Sequence, residues 1–182
     1  FPEYDHPADH HGLAVGRDGE RNHKLFAKAR WADFALVAGL SERFKADPTA
    51  SYGSWFNQRS DSVDRFGFAD LSYSRALGET QEVFARLGVH GYDYLGYGSY
   101  GEREQPVLGE SISNARWIAG ELRHVWSGWA GHRLLTGFEF QRNQRQRLWS
   151  TDVEPGAVPD TDATYRSTRY SLFASDEWQA LA

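Results

Sequence analysis

Gln81-Glu82-Val83-Phe84-Ala85-Arg86-Leu87-Gly88-Val89-His90-Gly91-Tyr92 decides how this chain folds. Val83, Ala85, Leu87 and Val89 recur at every second position, opposed by Glu82, Arg86, Gly88, His90 and Tyr92. Successive side chains of a strand take opposite faces, so this alternation predicts a strand over 81–95 with one greasy side and one wet side. A helix would place apolar residues at i, i+3, i+4 and i+7, and this stretch keeps a period of two.

The same rhythm continues on both sides. Before it, over 65–76, Gly67, Ala69, Leu71 and Tyr73 oppose Asp70, Ser72 and Ser74. After it, over 112–126, Ile118, Gly120, Leu122 and Trp126 oppose Ala119, Glu121 and Arg123, with His124 on the apolar side near the turn. Further out, over 22–31, Leu25, Ala27, Ala29 and Trp31 oppose Lys24, Phe26, Lys28 and Arg30. Phe34, Leu36, Ala38 and Leu40 form the next apolar row. Over 132–146, Leu134, Thr136, Phe138 and Phe140 oppose Arg133, Gly137, Glu139, Gln141 and Asn143, and on these adjacent strands the opposite charges of Glu121, Arg123, Arg133 and Glu139 can pair across the ladder. From 165, Tyr170, Leu172, Ala174 and Trp178 oppose Ser171, Ser175 and Glu177, and the pattern runs on toward Ala182. Asp33 to Lys45, rich in Ala and Leu, is where a helix competes best.

The connections are lopsided. Trp31-Ala32-Asp33-Phe34, Ala76-Leu77-Gly78-Glu79-Thr80 and Ser127-Gly128-Trp129-Ala130-Gly131 are tight, whereas 48–64, 96–110 and 150–163 read as long polar loops. Short turns at one end and long loops at the other are the habit of an outer-membrane barrel. Trp31, Phe34, Tyr73, Trp126, Trp129 and Trp178 fall near the tight-turn end, where aromatic rings favour a membrane–water boundary. The expected fold is therefore all-β: a curved antiparallel up-and-down meander of about seven long strands, an open segment of a transmembrane β-barrel. Residues 1–21 read as an extracellular loop and 22–182 as strands and their connections. A soluble β-sandwich, its apolar rows packed on a second sheet, is the alternative.

Composition narrows the functions. A formal charge of −5 disfavours a nucleic-acid partner. No apolar run approaches a membrane-spanning helix, but a barrel strand shows lipid only every second side chain. With no Cys, neither disulfides nor a thiolate metal site is available. Position 1 is Phe and no secretory leader opens the chain, so it reads as an internal piece of a longer protein.

Asp5-His6-Pro7-Ala8-Asp9-His10-His11 has metal-binding residue types, but in a Pro-containing loop without helical spacing it reads as a solvated loop. Gly96-Tyr97-Gly98-Ser99-Tyr100-Gly101 leads to no helix and is not a phosphate cradle. No nucleophile elbow is present, and Asp176 and Glu177, as strand neighbours, point to opposite faces. Neither enzymatic activity nor a cofactor is expected. Recognition is: Tyr52, Trp55 and Tyr97 in the long segments, with Arg86, His90, Tyr92 and Tyr94 on the wet face, supply the rigid aromatics and polar anchors of a ligand vestibule. The other reading has the loop aromatics packing on one another or on a domain that plugs the barrel.

Leu172-Phe173-Ala174-Ser175-Asp176-Glu177-Trp178 resembles a strand ending common in TonB-dependent outer-membrane receptors. His132-Arg133-Leu134 with Gly137-Phe138-Glu139-Phe140 is similar to another recurrent strand of that family. Arg43-Phe44-Lys45, Pro48-Thr49-Ala50-Ser51-Tyr52-Gly53 and Phe56-Asn57 look like one of its strand-to-loop passages. Phe1-Pro2-Glu3-Tyr4-Asp5 and Gly16-Arg17-Asp18-Gly19-Glu20-Arg21 resemble the preceding loop. The resemblance implies the middle of a barrel of roughly 22 strands. It further implies a bacterial outer-membrane location and import of an iron–siderophore complex, a corrinoid or a carbohydrate. Its partners would be outer-membrane lipid, the nutrient or metal chelate, and the TonB energy-coupling complex, reached through a plug domain that this chain lacks. A passive porin-type barrel is the nearest rival.

Overall fold

The computed structural model describes residues 1–180. Seven strands follow in order: β1 Glu20–Trp31, β2 Phe34–Ala46, β3 Ser60–Ala76, β4 Gln81–Glu102, β5 Gln105–Trp126, β6 His132–Asp152 and β7 Thr161–Trp178. Each pairs antiparallel with the next, giving one sheet in the order β1-β2-β3-β4-β5-β6-β7. The sheet does not close, and β1 and β7 are its edges. Short 3-10 turns occur at Pro2–Tyr4, Pro7–Gly12 and Ser51–Gly53. The Ala- and Leu-rich stretch after Asp33 is strand, as alternation demands. Leu181 and Ala182, where the seventh strand was expected to continue, lie outside the described residues.

Register carries the alternation across the whole sheet. Leu87 stands opposite Leu71 on β3 and Gly120 on β5. That row continues through Leu36 and Ala29 on one side and through Phe140 and Tyr170 on the other. A parallel row joins Trp31, Phe34, Tyr73, Ala85, Leu122, Phe138 and Leu172. All seven strands therefore turn an apolar row to one face, here called the outer face, and to the other, the inner face, a mainly polar row that also carries Phe26, Phe66, Phe68, Phe84 and Trp117.

Nothing among the described residues covers the outer face. Leu25, Leu87 and Leu122 are 65, 53 and 50% exposed, and among the described residues the only buried hydrophobic ones are Ala46 and Phe56. A domain held together in water by hydrophobic burial hides such side chains. This sheet is held by its ladders and by contacts along each face. The apolar band on β4 runs from Val83 to Gly91 and on β5 from Ile118 to Trp126, nine residues in each case. At the tight-turn edge of the band, Trp31 and Phe34 lie 6.5 Å apart and Phe34 and Tyr73 lie 5.1 Å apart. His132 sits between Trp129 and Trp178, with ring separations of 4.1 and 5.9 Å.

Two expectations need correction. Residues 96–110 are not a long loop: β4 and β5 continue as a paired hairpin up to Glu102 opposite Gln105, turning through Arg103 and Glu104. Likewise β3 begins at Ser60, β6 runs to Asp152 and β7 starts at Thr161, which shortens the other two loops to 47–59 and 153–160. The cause is physical. Beyond the band Glu42, Arg65, Asp93, Asn114 and Arg147 interrupt the outer face before Leu95 and Ile112, so hydrophobic contrast weakens in the sequence while ladder hydrogen bonds continue. The second correction concerns Glu121, Arg123, Arg133 and Glu139, read as charges that could pair across the ladder. Glu139 faces Glu121, like opposite like. Cross-ladder pairs do form, but with other partners: Glu121, 2.8 Å from Arg123 of its own strand, lies 3.7 Å from Arg86 on β4, and Arg133 reaches Glu177 on β7 at 3.2 Å.

Candidate ligand vestibule

The 47–59 segment folds back over the extended end of β3 and β4. Asp47 starts it: one carboxylate oxygen accepts from the Thr49 backbone N–H at 2.9 Å and from the Thr49 hydroxyl at 2.7 Å. Thr49 in turn meets the Ser51 hydroxyl at 2.7 Å. These bonds hold the Asp47 carboxyl below its usual range, although partial burial pushes the other way. The segment is then pinned to β4, because the Trp55 N–H donates to the Ser99 carbonyl at 2.7 Å. The Ser99 N–H donates to the Arg59 carbonyl at 3.0 Å.

Behind the segment sits a small satellite core. Phe56 is 4% exposed, stacked on Tyr4 at 4.4 Å and edge-on to Phe1 at 5.6 Å. The Asn57 side chain donates to the carbonyls of Asp9 and Leu13 at 3.1 and 2.8 Å, tying the N-terminal turns down. The buried Asp9 carboxylate accepts from Arg103 at the β4–β5 turn. The histidine-rich stretch 5–11 is thus a structural strap; His11 pairs with Asp5 at 3.1 Å, and no metal-holding cluster occurs among the described residues.

In front of the segment lies a cavity of about 450 Å³, bordered by Asp47, Ser51, Tyr52, Ser54, Tyr94 and Tyr100. Its floor is glycine, and a Cβ at Gly96 would overlap the Tyr94 ring, so that ring can lie flat only over a bare backbone. Burial raises the Tyr94 phenol, with the charge of Asp64 adding to it. Tyr100 donates to the Asp152 carboxylate, which together with desolvation pushes its phenol up to about 12. Tyr52 is fully exposed at the rim with φ of 54°, a left-handed conformation that side chains beyond glycine rarely take. Backbone strain of this kind concentrates at ligand clamps and switches.

The seven sequence-derived site residues do not form one pocket. Tyr52 and Tyr94 line the cavity. Tyr97 borders it, but strand parity turns its ring to the outer face, where its hydroxyl donates to Glu110 at 2.6 Å and Arg59 stacks at 3.8 Å. Trp55 points away, its indole N–H donating to the Gly101 carbonyl at 3.0 Å. Tyr92 lies one step down the inner face and donates to Asp64 at 2.5 Å.

Deeper still, His90 is stacked on Trp117 at 5.1 Å and on Phe68 at 6.2 Å, with Asp70 3.6 Å away. Arg86 is 3.7 Å from Glu121. Eight residues separate Arg86 from Tyr94, about 26 Å of strand, too far for both to hold one small molecule. The inner face therefore offers a tyrosine and hydroxyl cavity at the far end, then an aromatic tier at His90, then paired charges at Arg86. Sequence reading missed Asp47, Ser51, Ser54 and Trp117. Only Trp117 carried a signal, since its parity within β5 puts it on the wet face.

A second concavity, about 510 Å³, lies on the outer face over Gly67 and Gly91, between Leu25 and Leu40 and the ion pairs Arg65–Glu42 and Arg116–Asp93. It lies on the face opposite the tyrosine cavity. No protein-family model, curated protein or solved structure matches this chain.

Proposed function

We propose that this chain forms part of the wall of an outer-membrane β-barrel, and that the barrel is a TonB-dependent active transporter importing a scarce nutrient. One observation carries the reading: a single-layer sheet whose seven strands all turn an uncovered apolar band to the same side. A bilayer is the solvent that satisfies such a face, while the ladders satisfy the backbone. The nine-residue depth of the band on β4 and β5 agrees with the roughly 9–11 residues a tilted strand needs to cross. The open edges at β1 and β7 need further strands, because unpaired backbone groups in hydrocarbon each cost several kcal/mol.

The substrate side of the reading rests on the vestibule. Tyrosine rings, serine hydroxyls and a carboxylate facing a cavity suit a polar, ring-bearing nutrient such as a siderophore complex, a corrinoid or a carbohydrate. The test is uptake of a ferric chelate, a corrinoid and an oligosaccharide by cells carrying the full reading frame, before and after collapse of the proton gradient. An active transporter loses uptake of its substrate when the gradient collapses. Uptake that continues identifies a passive porin, and recovery of the protein in the aqueous fraction without detergent removes the membrane reading altogether.

A further inference from the structure

Just beyond the apolar band, β6 carries an extra residue. Arg116 on β5 pairs with Arg145, while the adjacent Trp117 pairs with Asn143, so Gln144 is the bulged residue. The break recurs against β7, where the pairing jumps from Asn143–Ser167 to Gln146–Tyr165. A bulge re-aims side chains, and this one gathers arginines. Arg142 is on the outer face because it pairs with Ile118 and Thr168; Arg145 shares that face with Arg116. Arg166, between inward Tyr165 and Ser167, points outward too.

The charges here lack the balance found elsewhere on the same face. On β2 to β5, Arg65 is held by Glu42 and Arg116 by Asp93, and on β6 Arg147 is held by Asp162. Arg142, Arg145 and Arg166 have no carboxylate partner among the described residues, although Arg145 directly faces Arg116. Like charges directly opposite in a ladder are destabilising unless an anion lies between them. Next to this pair, a depression of about 460 Å³ bounded by Arg142, Gln144, Arg166 and Thr168 leaves room for an anion at Arg142 and Arg166. Immediately below are Ile118, Phe140 and Tyr170 of the apolar band, and beside Arg116 opens the outer groove over Gly67 and Gly91.

We infer that the β6 bulge builds a binding site on the outer wall for the phosphate of an anionic lipid headgroup, its acyl chains lying on the apolar band beneath. Arginine suits the role because its planar fork meets phosphate oxygens in pairs. Continuity with the exposed band favours a lipid over an acidic protein, which would need no greasy surface below the charges. This inference rests on the membrane reading of the outer face, and its test separates the two.

The full protein is reconstituted in phosphatidylcholine vesicles doped with spin-labelled phosphatidic acid or spin-labelled phosphatidylcholine, and the motionally restricted fraction of each is measured. Preference for phosphatidic acid is expected, about five-fold for each arginine that meets the headgroup. Replacing Arg142, Arg145 and Arg166 together by Gln is expected to bring it close to unity. Removing the inner-face charges of Lys24, Lys28 and Arg30 in the same way should leave it unchanged. Equal restriction of both lipids by the unaltered protein overturns the headgroup site while the membrane reading stands; restriction of neither overturns the membrane reading. Loss of the preference on adding inorganic phosphate, but not chloride of matched ionic strength, assigns the site to a free anion and overturns the lipid assignment.

Discussion

Leu87→Arg is the sharpest perturbation the register suggests. Leu87 is the midpoint of the nine-residue band from Val83 to Gly91, on the central strand of the sheet, and it is 53% exposed between Leu71 and Gly120. If water met that face, a half-exposed leucine would be replaced by a solvated guanidinium at a cost within about 0.5 kcal/mol, the usual range for surface changes. If hydrocarbon meets it, an arginine at the bilayer midplane costs about 2–4 kcal/mol, falling to roughly 0–1 kcal/mol near the interfaces. That is about a 30- to 900-fold change in the folding equilibrium. Val83→Arg, at the edge of the band opposite His124, then marks the shallow end of the same scale. Ser171→Arg, on the inner face opposite Glu139, serves as a control within about 0.5 kcal/mol. Denaturant titration of the full protein in lipid vesicles, followed by tryptophan fluorescence, gives all three. A ranking with Leu87→Arg costliest supports the depth argument; equal and small effects at Leu87 and Val83 refute it.

Other predictions concern the vestibule and its supports. Tyr52→Gly relieves a left-handed backbone at φ 54° and should raise stability by about 1 kcal/mol, yet weaken substrate binding about 2- to 10-fold through loss of the ring; calorimetric binding with parallel unfolding curves checks both. Asp9→Ala strips Arg103 of its carboxylate and should loosen residues 1–19 by about 1–3 kcal/mol without touching β1 to β7, read by hydrogen exchange of the two regions. Tyr100 has its phenol raised from 10.0 to about 12, so the bond to Asp152 stabilises the folded state fully below pH 10.0 and is lost as pH rises through about 12. Ultraviolet titration of phenolate should show two tyrosines titrating near 12, Tyr92 and Tyr100, of which one disappears in Tyr100→Phe.

How much of this was legible before the structure follows from where the hydrophobic contrast lies. Val83 to Val89 could be read residue by residue, since a face that meets one solvent and a face that meets another impose a period of two. From Gly96 to Glu102 the strand continues unannounced, as Gly96, Gly98 and Ser99 offer no apolar side to mark it. The bulge at Gln144 was equally silent, because it lies among Arg142, Asn143, Arg145 and Gln146, polar on either parity. The site was half visible. Tyr94 declared itself by parity and Tyr52 by its loop, but their meeting depends on the Trp55–Ser99 backbone bond, which no side-chain pattern encodes. Trp55 and Tyr97 were misplaced for the complementary reason: each satisfies a polar atom on another surface.

The most direct measurement uses the fact that the chain has no Cys. Single cysteines placed in turn from Glu82 to His90, spin-labelled in the reconstituted protein, report collision with oxygen dissolved in lipid and with a water-soluble nickel complex. The account predicts strict alternation, with 83, 85, 87 and 89 open to oxygen and 82, 84, 86, 88 and 90 open to the nickel complex or packed inside. Odd positions that collide with nickel as freely as even ones, or that meet neither reagent because a second layer of protein covers them, would contradict it.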